Sequence, residues 1–141
     1  SLFDFGPSKS VATKVRLTER GKIKSISAFV GGPAGIIRYA IYSHHPSNRP
    51  DSLRAQSSFA LTSNGIGRWV TLNVNDTMLE PGEYWLAITC GLAAQTLNMA
   101  PGGDFVSLNY DATLLGFRNS WGSPESQEAV SFSIYATYEP E

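Results

Sequence analysis

The sequence predicts an all-β protein: a single antiparallel β-sandwich of jelly-roll type, with about eight to nine strands, over residues 1–141. Two observations carry this prediction. Apolar and polar residues alternate in short runs, which is the period-two pattern of strands with one buried face. Gly, Pro, Asn and Asp interrupt these runs about every ten residues, at the spacing of turns in a sandwich. No segment has the apolar spacing of an amphipathic helix, so the predicted fold contains strands and loops alone.

The first half of the chain divides into strands as follows. Residues 11–18 (VATKVRLT) alternate, and Gly21 follows as the predicted hairpin turn, where glycine accepts a positive φ. A strand is predicted from Ile23 (IKSISAFV) and another from Ile36 (IIRYAIYS). The strand from Ile36 is apolar on both faces, which predicts a central position. After the polar loop HHPSNRPDS come the predicted strands LRAQSSFAL and RWVTLNVN.

The second half begins at a clear turn and then becomes less regular. Pro81-Gly82 predicts a turn, and EYWLAIT behind it alternates, with Trp85 on the face opposite Tyr84. Residues 91–104 (GLAAQTLNMAPGGD) are compatible with a loop, a short strand or one helical turn. FVSLNY resumes the alternation, DATLLGFRNSWGSPESQEA is predicted to be mostly connection, and VSFSIYATY is predicted to be a single closing strand.

Composition and charge narrow the classes of function. Charged residues make up 16% of the chain, below the roughly 25% that is typical of soluble domains, and the net charge is -1. No cluster of Lys and Arg offers the counterion release that drives nucleic-acid binding, so we expect no nucleic-acid partner. No apolar run approaches the ~20 residues of a membrane span, so we expect no membrane insertion. A neutral, hydroxyl-rich surface is typical of secreted and particle-borne β proteins, which predicts an extracellular or secreted protein, or one on a virion or cell surface.

Motifs of catalysis and metal binding are missing from the sequence. It has no G-x-S-x-G elbow, no glycine-rich phosphate loop, and no H-E-x-x-H or C-x-x-C spacing. Adjacent His44 and His45 would point to opposite sides of an extended segment, and Cys90 is the only cysteine. We therefore expect no enzyme, no catalytic residues, no metal ligands and no cofactor. A structural calcium ion at strand-end aspartates is an alternative that no dense run of carboxylates supports.

Several segments resemble, in order, a known β-sandwich module. VATKVRLTERGKIKSISAFVGG, IRYAIYSHHPSNRPDSLRAQS, RWVTLNV, LEPGEYWLAI and SFSIYATYEP are similar to successive strands of a jelly-roll-like accessory module of secreted multidomain bacterial proteins. The resemblance extends from about residue 11 to residue 140, and it implies the sandwich fold and a carbohydrate-binding or spacer role. The loop HHPSNRPDS lacks the acidic residue and the glycine of the family's D-x-x-G tip, and residues 91–128 follow no pattern of the family.

The candidate site lies in two loop segments rich in aromatic and amide side chains. Sugar rings present apolar C–H faces that stack on aromatic rings, while their hydroxyls need polar partners. We therefore predict Trp121 and Tyr110 as stacking groups, and Asp111, Arg118 and Asn119 as hydroxyl partners. For Trp121 two other roles are open: capping the core, or anchoring a subunit interface.

Two functions follow from these observations. The first is a non-catalytic extracellular binding module, for carbohydrate or a protein surface, acting through this loop patch. The second is a structural, self-assembling subunit of a virion, a surface layer or a filament. In that alternative the contacts of a homo-oligomer would include Leu2, Phe3, Phe5 and Trp121, because an apolar terminal segment can pair with a neighbour's sheet.

Overall fold

The chain folds as a network of antiparallel strands. The computed structural model describes residues 2–141, and for residues 2–4 it describes the backbone alone. Eleven strands occur in this range, so the predicted count of eight to nine was too low. No helix is present among the described residues, as the sequence pattern predicted. The strands are β1 Leu2–Phe5, β2 Lys9–Leu17, β3 Gly21–Gly32, β4 Gly35–His45, β5 Arg49–Gln56, β6 Ala60–Thr62, β7 Gly65–Leu79, β8 Gly82–Gly91, β9 Gln95–Leu108, β10 Ser126–Phe132 and β11 Ile134–Pro140.

Strand pairing divides the network into two groups of strands, which we call the β3 wing and the β8 wing. In the β3 wing, β7 and β11 pair with opposite edges of β3. In the β8 wing the order is β5, β4, β8 and β2, so the apolar strand β4 has neighbours on both sides, as predicted. Strand β9 joins the wings, because Leu97 pairs with β3 while Phe105 pairs with β2. Strands β1 and β10 pair with β9, and β6 pairs with β4.

The main core is formed by residues from one face of each wing. Alternating residues of β3, β4 and β8 are buried together, with half-buried residues of β2, β7 and β11 packed against them. This set includes Ile23, Ile26, Ala28, Val30, Ile37, Tyr39, Ile41, Tyr84, Leu86 and Ile88. A second buried cluster lies on the opposite face of the β8 wing and contains Trp85. The predicted division of Tyr84 and Trp85 between two faces is therefore confirmed.

Strand bounds differ from the predictions in three places, because alternation does not show where a strand breaks or which neighbour it pairs with. LRAQSSFAL forms parts of two strands, since β5 ends at Gln56 and β6 begins at Ala60. VSFSIYATY forms two strands, β10 and β11, since the chain leaves β9 and joins β3 at Ser133. The irregular stretch after Cys90 is mostly the first half of β9, a strand of 14 residues. Gly102 and Gly103, both with φ +89°, interrupt its side-chain pattern within the pairing to β10.

Gly21 has a different role from the one predicted. It begins β3, and it does not adopt a positive φ. A Cβ atom built on Gly21 would lie 2.5 Å from the ring of Tyr138, so a side chain here would displace β11. Glycine is needed at this position for a close approach rather than for a turn.

Candidate functional site

The five predicted site residues all belong to one segment, residues 109–125, which we call the covering segment. This segment lies over the face of the β8 wing that points away from the main core. It brings Phe117 and Trp121 against Tyr42, whose ring meets theirs edge-on at centroid distances of 6.1 and 5.2 Å. The sequence pattern correctly indicated that this stretch is a connection. Its residues Ala112, Phe117 and Trp121 join strand residues in a second core, whereas Leu114 and Leu115 are exposed.

Trp121 is buried, with 1% of its surface exposed, so the prediction that its ring stacks on a sugar is not met in this structure. Its backbone N–H donates to the carbonyl of Asp51, and the carbonyl of Asn119 accepts from Leu53 at 2.8 Å, so both hold the segment to β5. The structure agrees instead with the alternative in which Trp121 caps a core. The indole Nε1 of Trp121 makes no hydrogen bond with any described residue.

The other four predicted residues hold the covering segment in place. Arg118 lies over the ring of Tyr110 at 4.6 Å and donates to the carbonyl of Trp121 at 3.0 Å. Asp111 accepts from the backbone and the hydroxyl of Thr113, which is a local turn bond. The structure therefore brings Arg118, Tyr110 and Trp121 together, and it uses these contacts to hold the segment itself.

His44 lies near the end of β4 and contacts Trp85 of the neighbouring strand β8. Its ring stacks on Trp85 at 6.3 Å, and its Nδ1 accepts from the indole Nε1 of that fully buried tryptophan at 3.1 Å. His45 contacts Arg49 instead, at 3.3 Å. The two histidines thus have separate partners, as expected for neighbours in an extended segment.

The face of the β3 wing that points away from the core carries aromatic residues that the sequence analysis did not select. Trp69 pairs with Phe29 across β7 and β3, and Tyr135 pairs with Ser27 across β11 and β3. These positions alternate with core-facing residues, so the strand period fixes their outward direction. Trp69 is 51% exposed and Tyr135 is 49% exposed. The signal was present in the sequence, because Trp69 alternates with the apolar residues of RWVTLNV.

The aromatic rings pack against one another. Trp69 and Tyr135 have centroids 5.2 Å apart with planes tilted by 59°, and Phe29 meets Trp69 edge-on at 5.6 Å. Such contacts restrict the rings, so the side chains are ordered before any ligand arrives.

Hydroxyl and amide groups continue along the same three strands. The hydroxyls of Ser27 and Thr71 are 2.6 Å apart and bonded to each other. The pair Ser25 and Asn73 is next in register, and Thr137 lies opposite Ser25 on β11. We call this surface the aromatic face, and it consists of Ser25, Ser27, Phe29, Trp69, Thr71, Asn73, Tyr135 and Thr137.

Charged groups of the β3 wing lie beyond this face. Lys24 and Asp76 form an ion pair at 2.9 Å, and their hydrogen bond lowers the pKa of Asp76 and raises the pKa of Lys24. The outward positions that make up the aromatic face carry no carboxylate, ammonium or guanidinium group. Recognition at this face would therefore rest on ring contacts and neutral hydrogen bonds.

Cys90 and the acidic side chains that the structure describes form no metal-binding cluster. Burial raises the pKa of the Cys90 thiol to about 12, and its Sγ contacts the carbonyls of Phe5 and Gly6. Among the side chains of residues 5–141, no three of His, Cys, Asp or Glu converge as they would to hold a metal ion. Within the same range no helix is both long and apolar enough to cross a membrane.

A scan against protein-family models and a search of curated proteins both give no match for this chain. The functional assignment therefore depends on the chemistry of the surface itself.

Proposed function

We propose that this chain is a non-catalytic binding domain that takes carbohydrate on its aromatic face. The observation that carries the proposal is the pair of half-exposed rings, Trp69 and Tyr135, in contact with each other on a strand surface. Exposed aromatic area is costly in water, at roughly 25 cal/mol per Å² of apolar surface. A ligand with an apolar face recovers part of this free energy, and sugar rings have such a face.

The surroundings of the rings favour a sugar over a purely apolar ligand. The exposed hydroxyl of Thr71 and the exposed amide of Asn73 follow the rings along β7, and the hydroxyl of Thr71 is held by a hydrogen bond with the buried Ser27. A hydroxyl both donates and accepts, and an amide offers two donors and an acceptor, so these groups match the mixed hydrogen bonding of sugar hydroxyls.

The finer features of fold and context belong to the same proposal. A two-layer sandwich is supported by the shared core, because core-facing residues of the β3 wing pack with those of the β8 wing, and its jelly-roll type is supported only by the resemblance of the strand segments. An extracellular or secreted location is supported by the low content of charged residues, and a place within a larger bacterial protein is supported only by the resemblance of the strand segments to an accessory module. In that setting the domain would hold a neighbouring activity close to a glycan.

Affinity electrophoresis in gels that contain soluble polysaccharides tests the proposal. The wild-type protein is expected to be retarded by at least one polysaccharide, and Trp69→Ala and Tyr135→Ala are expected to abolish the retardation. Leu115→Ala is a matched control, since this leucine is 93% exposed and lies in the covering segment. Its retardation should equal that of the wild type.

A further variant separates the aromatic face from the loop patch that the sequence predicted. Tyr110→Ala removes the ring beneath Arg118 but leaves the aromatic face intact. Loss of retardation in Tyr110→Ala, with Trp69→Ala unaffected, would move the site to the covering segment. Absence of retardation for the wild type in every gel would contradict carbohydrate binding altogether.

A self-assembling structural subunit is the second candidate, and open strand edges favour it. Strand β11 pairs with β3 alone, and residues 14–17 of β2 pair with β8 alone. An apolar cavity of about 210 Å³ opens between these two strands, lined by Val15, Leu17, Ile134 and Ala136 among others. Unpaired edges are templates for pairing with another chain. Light scattering after size-exclusion chromatography tests this candidate, and a monomer at millimolar concentration would contradict it. The apolar contacts predicted at Leu2 and Phe3 lie outside the described side chains. The contacts predicted at Phe5 and Trp121 were wrong, because both side chains are buried within the chain's own cores.

A further inference from the structure

The tilt of the exposed rings restricts which form of carbohydrate the aromatic face can take. A crystalline polysaccharide presents a flat surface, and binding it requires aromatic rings that lie in one plane. The planes of Trp69 and Tyr135 differ by 59°, and Phe29 is turned by 71° from Trp69. When one of these rings lies flat on a surface, its neighbour is forced to stand away from it. Tilted neighbouring rings offer no common plane, so a single chain, which can twist, fits them better than a flat lattice does.

The size of the face points in the same direction. It spans three strands, which is about 10 Å at the usual spacing between strands. Along β3 it extends from Ser25 to Phe29, roughly 13 Å at the usual rise per residue. Such an area matches a short stretch of one glycan chain rather than an extended lattice of chains.

The uncharged side chains of the aromatic face favour an uncharged glycan chain. Carboxylated or sulfated sugars are usually held by Arg or Lys through charge-assisted hydrogen bonds. The aromatic face contains neither residue, and the nearby ammonium group of Lys24 is already paired with Asp76 at 2.9 Å. A neutral sugar would lose no charge solvation here, whereas an anionic sugar would lose some without a partner to replace it.

We infer that the aromatic face takes a single, soluble, uncharged oligosaccharide chain, with sugar rings against Trp69 and Tyr135 and hydroxyls at Thr71 and Asn73. This inference rests on the proposed carbohydrate function and narrows it to one class of ligand. The strand register places Thr71 and Asn73 two and four positions beyond Trp69 on the same face. The chain of the ligand therefore runs along β7, from the rings toward the amide.

Three groups of polysaccharide test the inference with the intact protein. Hydroxyethylcellulose, xylan, glucomannan and dextran serve as soluble neutral chains, and alginate, pectate and heparin as soluble anionic chains. Microcrystalline cellulose and crystalline chitin, used in pull-down assays, provide flat surfaces. We expect binding to at least one soluble neutral chain, and no binding to the anionic or crystalline materials that depends on Trp69.

The possible failures are distinguishable. Binding to a crystalline or anionic material that Trp69→Ala abolishes would overturn the inference and would still support carbohydrate binding. Absence of binding by the wild type to all three groups would contradict the proposed function itself.

An amide substitution checks the direction of the chain. Asn73→Ala should weaken binding to the neutral chain by about twofold to tenfold, the effect of losing one hydrogen bond. Asn109→Ala is the matched control, because this exposed asparagine lies in the covering segment and bonds only to Glu125 among the described residues. Equal affinities for Asn73→Ala and the wild type would overturn the placement of the ligand along β7.

Discussion

The two wings differ in how each treats the face that points away from the core. On the β8 wing the covering segment buries Trp121 almost completely, whereas on the β3 wing Trp69 remains half exposed. Both tryptophans lie among aromatic neighbours, with Tyr42 beside Trp121 and Tyr135 beside Trp69. The difference teaches that the exposure of an aromatic residue depends on whether another part of the chain crosses its face. The covered face contributes to stability, and the open face is available to a ligand.

Replacement of the two tryptophans should give the largest contrast. Trp121→Ala removes a fully buried ring and should lower the free energy of unfolding by about 3–5 kcal/mol. Trp69→Ala removes only ring contacts at the surface and should cost about 1 kcal/mol. Urea denaturation followed by circular dichroism measures both values.

A conservative variant keeps this comparison valid if Trp121→Ala does not fold. Trp121→Phe keeps an aromatic ring against Tyr42 and removes the indole N–H that has no partner among the described residues. Removal of this unpaired N–H should offset part of the lost packing. Trp121→Phe should therefore lower the free energy of unfolding by much less than Trp121→Ala does. Equal stability losses for Trp69→Ala and Trp121→Ala would contradict the assignment of one covered and one open face.

Removal of one tyrosine hydroxyl from each wing should show the same contrast in stability, with smaller energies. The hydroxyl of Tyr42 donates to the carbonyl of Arg118 at 2.5 Å, and burial raises the pKa of Tyr42 well above its usual range. Tyr42→Phe should cost about 1 kcal/mol, because it leaves the carbonyl without this donor. Tyr135→Phe should leave the stability within ~0.5 kcal/mol of the wild type, since Tyr135 is an exposed surface residue. Thermal unfolding of the two variants compares these effects, and a larger loss for Tyr135→Phe would reverse the comparison.

The smallest expected effect is a dependence of stability on pH at the edge of the β8 wing. Hydrogen bonds from Asn48 and Lys14 hold the pKa of Asp104 below its usual range. A carboxyl group with a lowered folded-state pKa stabilises the protein above its unfolded pKa of about 3.9. This contribution is lost as the pH falls through the folded-state pKa.

Asp104→Asn should therefore be less stable than the wild type at pH 7, and the difference should vanish in strong acid. Asp76→Asn is the matched change on the β3 wing, and it should give a smaller difference that salt removes, because the Lys24–Asp76 pair is exposed. Urea denaturation at pH 7 and in strong acid, with and without added salt, measures both. A difference for Asp104→Asn that persists unchanged in strong acid would contradict the assigned ion pair.

Much of the strand pattern could be predicted from local alternation. The faces of β7 and β8 agree with the predictions from RWVTLNV and EYWLAIT, since period two decides which residues share a side. The break at Ser133 could not be predicted, because alternation continues through it while the pairing partner changes from β9 to β3. In the candidate site the exposure of Trp121 was predicted wrongly, because the fold buries its ring against the β8 wing, whereas Asp111, Arg118 and Asn119 are exposed as predicted.

The sequence by itself determined the fold class and the two sides of most strands, because side-chain alternation is a property of the extended backbone. Only the tertiary structure decided which outward side would be covered. That decision depends on contacts between residues far apart in the chain, such as the bond from Leu53 to Asn119 that ties the covering segment to β5. No local pattern encodes such a contact. For this reason Trp121 became part of a core, while Trp69, in a regular strand, became the exposed residue.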